Sequence, residues 1–285
     1  MQPNYITEDL IHKFIVSALA EDIGDGDHST LAAIPASQTE RARLLVKDSG
    51  ILAGVYLANK IFQIFDKTLE VQIYLEDGVA VKQGDVAFVV TGLARSILTT
   101  ERLVLNCMQR MSGIATKTNH LTRLIAGTGA MVLDTRKTTP NFRMLEKWAV
   151  RIGGGSNHRI GLFDMIMLKD NHIDMAGGIE QAIIRTKDYL RAGNRNLKIE
   201  IETRNLEEVE KVMSVGGVDI IMLDNMSLSE MRKAIRIIGG KYKTEASGNI
   251  TEETIRGVAE CGVDFISVGA LTHSVKSLDL SLKAF

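Results

Sequence analysis

Two arginines, two lysines and a histidine fall within one short reach of this chain, at places where side chains commonly meet a ligand. Arg136 and Lys137 lie in LDTRKTTP (133–140), His158 and Arg159 close the glycine-rich GGGSNHR (153–159), and Lys169 sits in LKDNHI (168–173). Arginine forks match carboxylate and phosphate oxygens in pairs, lysine acts as a point charge, and each charge-assisted hydrogen bond contributes roughly 1.5–3 kcal/mol. Five such groups on one rim predict a small ligand carrying several negative charges. Arg143, Lys147 and Arg151 belong to the same basic stretch, but they recur at helical spacing and read as a solvated helix face.

Two acids accompany the cations. Glu202 lies next to the end of KIEIET (198–203) and Asp224 next to the end of DIIMLDN (219–225). Beside a cationic rim they could hold a magnesium ion, bind ribose hydroxyls or stabilise a developing positive charge. Asp224 could equally serve to pair one of the arginines. Ser247 and Gly248 follow one later apolar run and Gly269 another, where bare backbone N–H groups can reach phosphate oxygens. The glycines of GGGSNHR match neither phosphate-loop pattern; their expected use is close backbone approach or positive φ that brings His158 and Arg159 into place. Neither a GxSxG elbow nor an HExxH pair is present. Fixed charges without a nucleophile fit chemistry by positioning and electrostatics, such as displacement at a sugar carbon that becomes cation-like.

What must position these residues is a regular alternation. Apolar runs at 131–134, 165–170, 198–203, 219–225, 244–248 and 264–270 are separated by amphipathic stretches, the signature of successive βα units and a parallel sheet. Such runs predict an α/β barrel, open or nearly closed. Each run is apolar at its start and polar at its end, and α/β barrels assemble their sites at the carboxyl ends of the strands. The first hundred or so residues read differently. A helix over 7–20 capped by Thr7, strands at 41–47, 69–75 and 86–90, and a long helix from about 96 to 126 predict an N-terminal α+β sandwich domain. The boundaries expected are 1–115 for that domain, joined by a tail of about 276–285, and 116–275 for the barrel.

Composition sets the outer limits. Hydrophobic residues at 45% and charged residues at 24% suit a full globular core, and a net charge of -1 offers no electrostatic reason for nucleic acid or an anionic membrane as partner. MQPNYITEDL has neither the basic start nor the apolar core of a secretory signal, and no run reaches the roughly 18 apolar residues of a membrane span, so a cytoplasmic setting is expected. Cys107 and Cys261, without ligand spacing, read as reduced core thiols.

Several motifs in order carry a family resemblance: EDIGDGDHST (21–30), ERLVLNCMQRMSGIAT (101–116), DTRKTTP, EKWAV with GGGSNHRIGLFD (146–164), LKDNHI, IIMLDN, EASGNIT (245–251) and VGALTHS (268–274). Together they resemble the quinolinate phosphoribosyltransferases, the decarboxylating nicotinate-nucleotide pyrophosphorylases, over nearly the whole chain. The resemblance implies transfer of phosphoribosyl from phosphoribosyl pyrophosphate to quinolinate with loss of CO2, dependence on magnesium, a role in NAD biosynthesis, and a homodimer whose N-terminal domain closes over the partner's barrel. It implies that Arg102 reaches the partner's site, that Arg136, His158, Arg159 and Lys169 hold the quinolinate carboxylates, and that Ser247, Gly248, Gly269 and His273 line the phosphate end. Lys137, Glu202 and Asp224 are the implied catalytic residues, meeting the phosphoribosyl donor, with Glu202 and Asp224 also toward its magnesium. Glu200 shares a strand face with Glu202, which leaves open which of the two is nearer the ribose. Asn141 and Asn249 stand where glycine is usual in the family and Trp148 where tyrosine is common; asparagine is the next most tolerant residue of positive φ. Two other readings are a paralogous protein of molybdenum transport with a different acceptor, which the intact cationic set disfavours, and a non-catalytic sugar-phosphate sensor, which would not need the acids.

Overall fold

The computed structural model describes residues 2–285. In chain order the elements are α1 (Glu8–Ile23), α2 (His28–Ala33), β1 (Thr39–Val46), β2 (Gly50–Ile51), α3 (Val55–Phe65), β3 (Glu70–Ile73), β4 (Ala80–Val81), β5 (Val86–Leu93) and α4 (Ala94–Leu124). There follow β6 (Met131–Leu133), α5 (Arg143–Ile152), β7 (Ile166–Leu168), α6 (Asp170–Ala176), α7 (Ile179–Ala192), β8 (Ile199–Thr203), α8 (Leu206–Val215) and β9 (Ile220–Asp224). The chain closes with α9 (Leu228–Ile238), β10 (Lys243–Ser247), α10 (Ile255–Ala259), β11 (Phe265–Ser267), α11 (Ala270–His273) and β12 (Leu280–Ala284). These group into two compact units, one made of the chain up to Asn119 with Thr138–Gly154 and Ala270–Phe285, the other of His120–Lys137 and Gly155–Gly269.

In the first unit an antiparallel sheet runs β12-β1-β5-β3, so the last strand of the chain pairs with the first. The Thr7 hydroxyl caps α1 by accepting the Leu10 N–H, and the helix runs three residues past the expected end to Gly24, whose φ of 55 stops it. On α3 the side chains of Val55, Leu57, Ala58, Ile61 and Phe62 are buried, and the Phe62 ring meets Phe88 of β5 edge-on at 5.9 Å. Burying each such side chain stabilises the fold by roughly 1.5–3 kcal/mol.

α5 departs from the expectation of a solvated basic face. Leu145 to Val150 are buried without interruption, and Lys147 is 0% exposed. The helix is enclosed on more than one side. Gly153 at its end packs so closely on Ala115 of α4 that a Cβ would overlap the Ala115 carbonyl. Next to Lys147, Glu146 is also fully buried; it accepts Arg110 Nε at 2.7 Å and the Thr139 N–H at 3.1 Å. Of the three cations, only Arg151 lies on an open surface.

The second unit is built on a six-stranded parallel sheet in the order β6-β11-β10-β9-β8-β7. The first strand lies beside the last, so this is a barrel opened between β6 and β7. The stretch between those strands partly fills the opening, because Ser156 bridges to Leu133 in parallel. The strands are short and almost wholly buried, as the near-continuous apolar runs predict for a sheet covered on both faces. Both cysteines are free and buried, and no described helix is long and apolar enough to cross a membrane.

Candidate active site

Parallel pairing puts all the carboxyl ends of the second unit on one side. Leu168 is level with Ile201, Thr203 with Leu223, Asp224 with Ser247, Ala246 with Ile266, and Ser267 with Leu133. Arg136 and Lys137 after β6, Lys169 after β7, Glu202 on β8, Asp224 on β9, Ser247 and Gly248 at the end of β10 and Gly269 after β11 therefore share one rim, joined by Arg159 from the segment that fills the opening. Arg102 and His273 belong to the first unit, where Arg102 is exposed and His273 Nδ1 lies 2.6 Å from Ser274 Oγ.

The segment carrying His158 and Arg159 is fastened by a residue that the sequence pattern marks only as the end of a strand. Asp134, fully buried, accepts the His158 N–H at 2.9 Å with one oxygen and Asn157 Nδ2 with the other. Asp164 fastens the far side, accepting the Ile160 N–H at 2.7 Å and the Gly161 N–H at 2.8 Å. Between these anchors the Arg159 guanidinium donates to the Met165 carbonyl at 3.3 Å. Burial and then the charge of Arg136 press its pKa downward, while Glu200, Asp164 and Glu202 oppose them. Two guanidiniums near enough to repel, with carboxylates behind them, form a seat for an anion with more than one charge.

A second cluster stands beside it. Lys169 Nζ lies 2.7 Å from Glu202 Oε1, and Glu202 Oε2 accepts the Asp170 N–H at 3.1 Å. His172 does not reach this pair; its Nδ1 accepts the Lys169 N–H at 3.0 Å and closes the first turn of α6. Burial raises the Asp224 carboxyl, and Glu202 and Asp170 push it further while Asn225 and Lys169 pull back. Such crowding of hard oxygen donors fits a divalent cation of the magnesium kind, which would relieve it. The loops that follow use special backbone conformations. Asn225 has φ 54, Asn249 φ 51 and Gly248 φ 97, and a Cβ on Gly248 would overlap the Asn225 side chain. Asn141, in the first unit, also has positive φ at 61, so Asn141 and Asn249 both adopt the left-handed turn conformation that asparagine tolerates next best after glycine.

Below the rim His158 and Glu200, both marked by the sequence, meet a third residue that it did not mark, Glu245. Glu200 of β8 and Glu245 of β10 are 0% exposed, and His158 Nε2 lies 2.9 Å from Glu200 Oε2 and 3.5 Å from Glu245 Oε2. The ligand-type atoms of the three lie within 4.8 Å of one another. Burial, and then the charge of Glu200, push the Glu245 carboxyl up to about 8. Burial likewise raises Glu200, to about 7. The signal for Glu245 was available, since TEAS places a carboxyl two residues before Ser247, on the same strand face, within a buried run.

An open α/β barrel whose strand ends carry a paired-arginine seat beside a lysine–carboxylate cluster defines an enzyme class that brings small polyanions together. Comparison with known proteins narrows this. Residues 27–112 match the model of the quinolinate phosphoribosyl transferase N-terminal domain, and 114–283 that of the C-terminal domain. The chain is 47% identical over 298 residues to the chloroplastic nicotinate-nucleotide pyrophosphorylase [carboxylating] of Arabidopsis thaliana, covering 99% of this chain and 84% of that one. It is 46% identical over 281 residues to a mitochondrial quinolinate phosphoribosyltransferase [decarboxylating] of Nicotiana tabacum, covering 93% and 80%. The crystal structure of NadC from Streptococcus pyogenes superposes with a TM-score of 0.92 at 40% identity, covering 98% of this chain and 99% of that one. The chain belongs to the quinolinate phosphoribosyl transferase family.

Proposed function

We propose that this protein transfers the phosphoribosyl group of phosphoribosyl pyrophosphate to quinolinate with loss of CO2, giving nicotinate mononucleotide and pyrophosphate for NAD biosynthesis. The observation that carries the reading is the placement of the Arg136–Arg159 seat next to the Lys169–Glu202 pair and Asp224. A planar diacid on the two guanidiniums presents its ring nitrogen toward a sugar carbon lying over the acids. The nitrogen lone pair forms the bond to that carbon as the bond to pyrophosphate breaks. Glu202 and Asp224 stabilise the cationic sugar, and Lys137 faces the departing phosphates. The alkylated ring then accepts the electron pair released when the adjacent carboxylate leaves as CO2, and a proton takes its place on the ring carbon.

Glu202 and Asp224 would hold magnesium, which when bound neutralises charge on the pyrophosphate. Ser247, Gly248, Gly269 and His273 are assigned to the phosphate end. In this reading the protein is a homodimer in which Arg102 of the partner subunit completes the quinolinate seat. A cytoplasmic setting fits the two unpaired, buried cysteines.

The test is release of pyrophosphate and CO2 from phosphoribosyl pyrophosphate with magnesium and either quinolinate or nicotinate. Silence with quinolinate refutes the reading. Arg159→Ala is expected to lower kcat/KM for quinolinate by at least about tenfold, equivalent to roughly 1.4 kcal/mol; unchanged kinetics remove Arg159 from the site. Mixing inactive Arg102→Ala and Arg159→Ala chains is expected to restore part of the activity, and mixed dimers without recovery refute a shared site.

A further inference from the structure

The rim residue least like its neighbours is His158, whose side chain is only 7% exposed and turns toward the interior. We infer that His158 is a neutral, Nε2-protonated strut that fixes the backbone of Arg159, and that Glu245 beneath it is a positioning residue for quinolinate. The inference rests on the proposed function and assigns within it a role to Glu245, which touches none of the reacting atoms.

The protonation follows from hydrogen-bond chemistry. His158 Nδ1 lies 2.7 Å from the Arg159 backbone nitrogen and receives its N–H. A backbone amide can only donate, so Nδ1 carries no proton and the single ring proton is on Nε2. That proton lies among the Glu200 and Glu245 oxygens, at 2.9 Å and 3.5 Å from Nε2. Nδ1 is thus hydrogen-bonded and Nε2 faces the buried glutamates, so neither ring nitrogen is directed at the rim. An uncharged imidazole of this kind cannot replace an arginine as partner of a carboxylate on the rim.

The same tautomer decides against a metal in the trio. A histidine that ligates through Nε2 keeps its proton on Nδ1 and donates it to a neighbouring acceptor. Here Nδ1 accepts, and the ring has no lone pair left on Nε2. The trio is therefore a packing device. His158 is held by two hydrogen bonds, its own N–H by Asp134 and its Nδ1 by the Arg159 N–H, while its Nε2 packs against the paired glutamates at 2.9 Å and 3.5 Å without the alignment of a hydrogen bond. Fixing both the ring and the amide that follows it fixes the course of the chain into Arg159, and a displacement of about 1 Å in a positioning group can cost about a hundredfold in rate. Glu245, 0% exposed in the middle of β10, is the floor that keeps the ring from sinking.

Two measurements test this. In protein labelled with 15N-histidine, multiple-bond 1H–15N spectra at pH 7, with His158 assigned by its loss in His158→Asn, are expected to show the Nε2–H tautomer. A doubly protonated ring or the Nδ1–H tautomer overturns the inference, whether or not the protein turns over quinolinate. A failure of the substrate reading appears separately, as absence of wild-type turnover. In kinetics, Glu245→Ala is expected to raise KM for quinolinate at least about fivefold while KM for phosphoribosyl pyrophosphate moves less than about twofold, and Glu245→Gln, which keeps the shape and an acceptor oxygen, is expected to restore the wild-type value. Equal KM shifts for both substrates overturn the positioning role, as does a folded Ala variant with unchanged KM. Should the Ala variant not fold, Glu245→Gln decides: KM for quinolinate within about twofold of wild type supports the strut, and a rise beyond about tenfold overturns it by showing that the carboxyl itself is required.

Discussion

Replacing Glu245 by glutamine also has a consequence for stability that can be worked out from its surroundings. The side chain is fully buried, and burial followed by the charge of Glu200 lifts its pKa from 4.5 to about 8, against the pull of the Ser267 hydroxyl. In the unfolded chain the group titrates near its ordinary value of 4.5. Below that value both states hold the proton and the group costs nothing. Between the two values the folded protein keeps a proton that the unfolded chain has released, so stability falls as pH rises, by up to about 1.4 kcal/mol per pH unit. From pH 5 to pH 7 the loss reaches roughly 3 kcal/mol, and above the folded value it grows no further. Glutamine cannot ionise, so Glu245→Gln lacks this slope, and its amide can donate to the Glu200 carboxylate. Thermal midpoints of variant and wild type, measured at pH 5, 6, 7 and 8 at constant ionic strength, are expected to diverge in favour of the variant by roughly 3–5 °C per pH unit up to the folded pKa. A difference that stays constant with pH, or that turns toward the wild type as pH rises, refutes the claim that Glu245 is neutral in the folded protein.

Two further outcomes follow from packing. Gly248→Ala forces a side chain onto a residue at φ 97 and into the Asn225 side chain; kcat/KM is expected to fall at least about tenfold in steady-state assays, and unaffected kinetics would take this loop out of the site. Glu146→Ala strips the buried partner from Arg110 and from the Thr139 N–H; about 2–4 kcal/mol of stability is expected to go, read as a lower thermal midpoint, and a shift under about 1 °C would show the pair to be dispensable.

The sequence pattern made the scaffold legible because a buried parallel strand leaves a plain trace. Each apolar run ending in a charged or polar residue became a strand whose carboxyl end lies on the rim. The runs gave the strands longer than they are: MIMLKD suggests six residues where β7 has three, because the residues that follow turn into α6 under the cap closed by His172. Three side chains were misjudged or missed for one physical reason, that a charge inside a fold looks like a charge outside it until its partners are known. Lys147 fits the spacing of an exposed face yet is buried within α5 beside Glu146. Glu245 and Asp134 bring no sequence-local partners, since those that matter, His158 and Asn157 among them, come from the distant segment that fills the opening. Strand patterns carry one-dimensional information, and such pairings arise only when the sheet curls.

The curled sheet explains why the site contains as many carboxylates as it does beneath a rim meant for anions. Arg136 and Arg159 repel each other, and Glu200, Glu202 and Asp164 offset that repulsion from behind. A substrate diacid arriving from in front adds to this without having to displace them. Lys169 and Glu202 are arranged differently. The lysine side chain is 46% exposed and the glutamate 10%, so in any exchange the lysine is the partner that moves. On the proposed function, a quinolinate carboxylate at Lys169 would compete with Glu202 for the ammonium, the exposed partner of this pair.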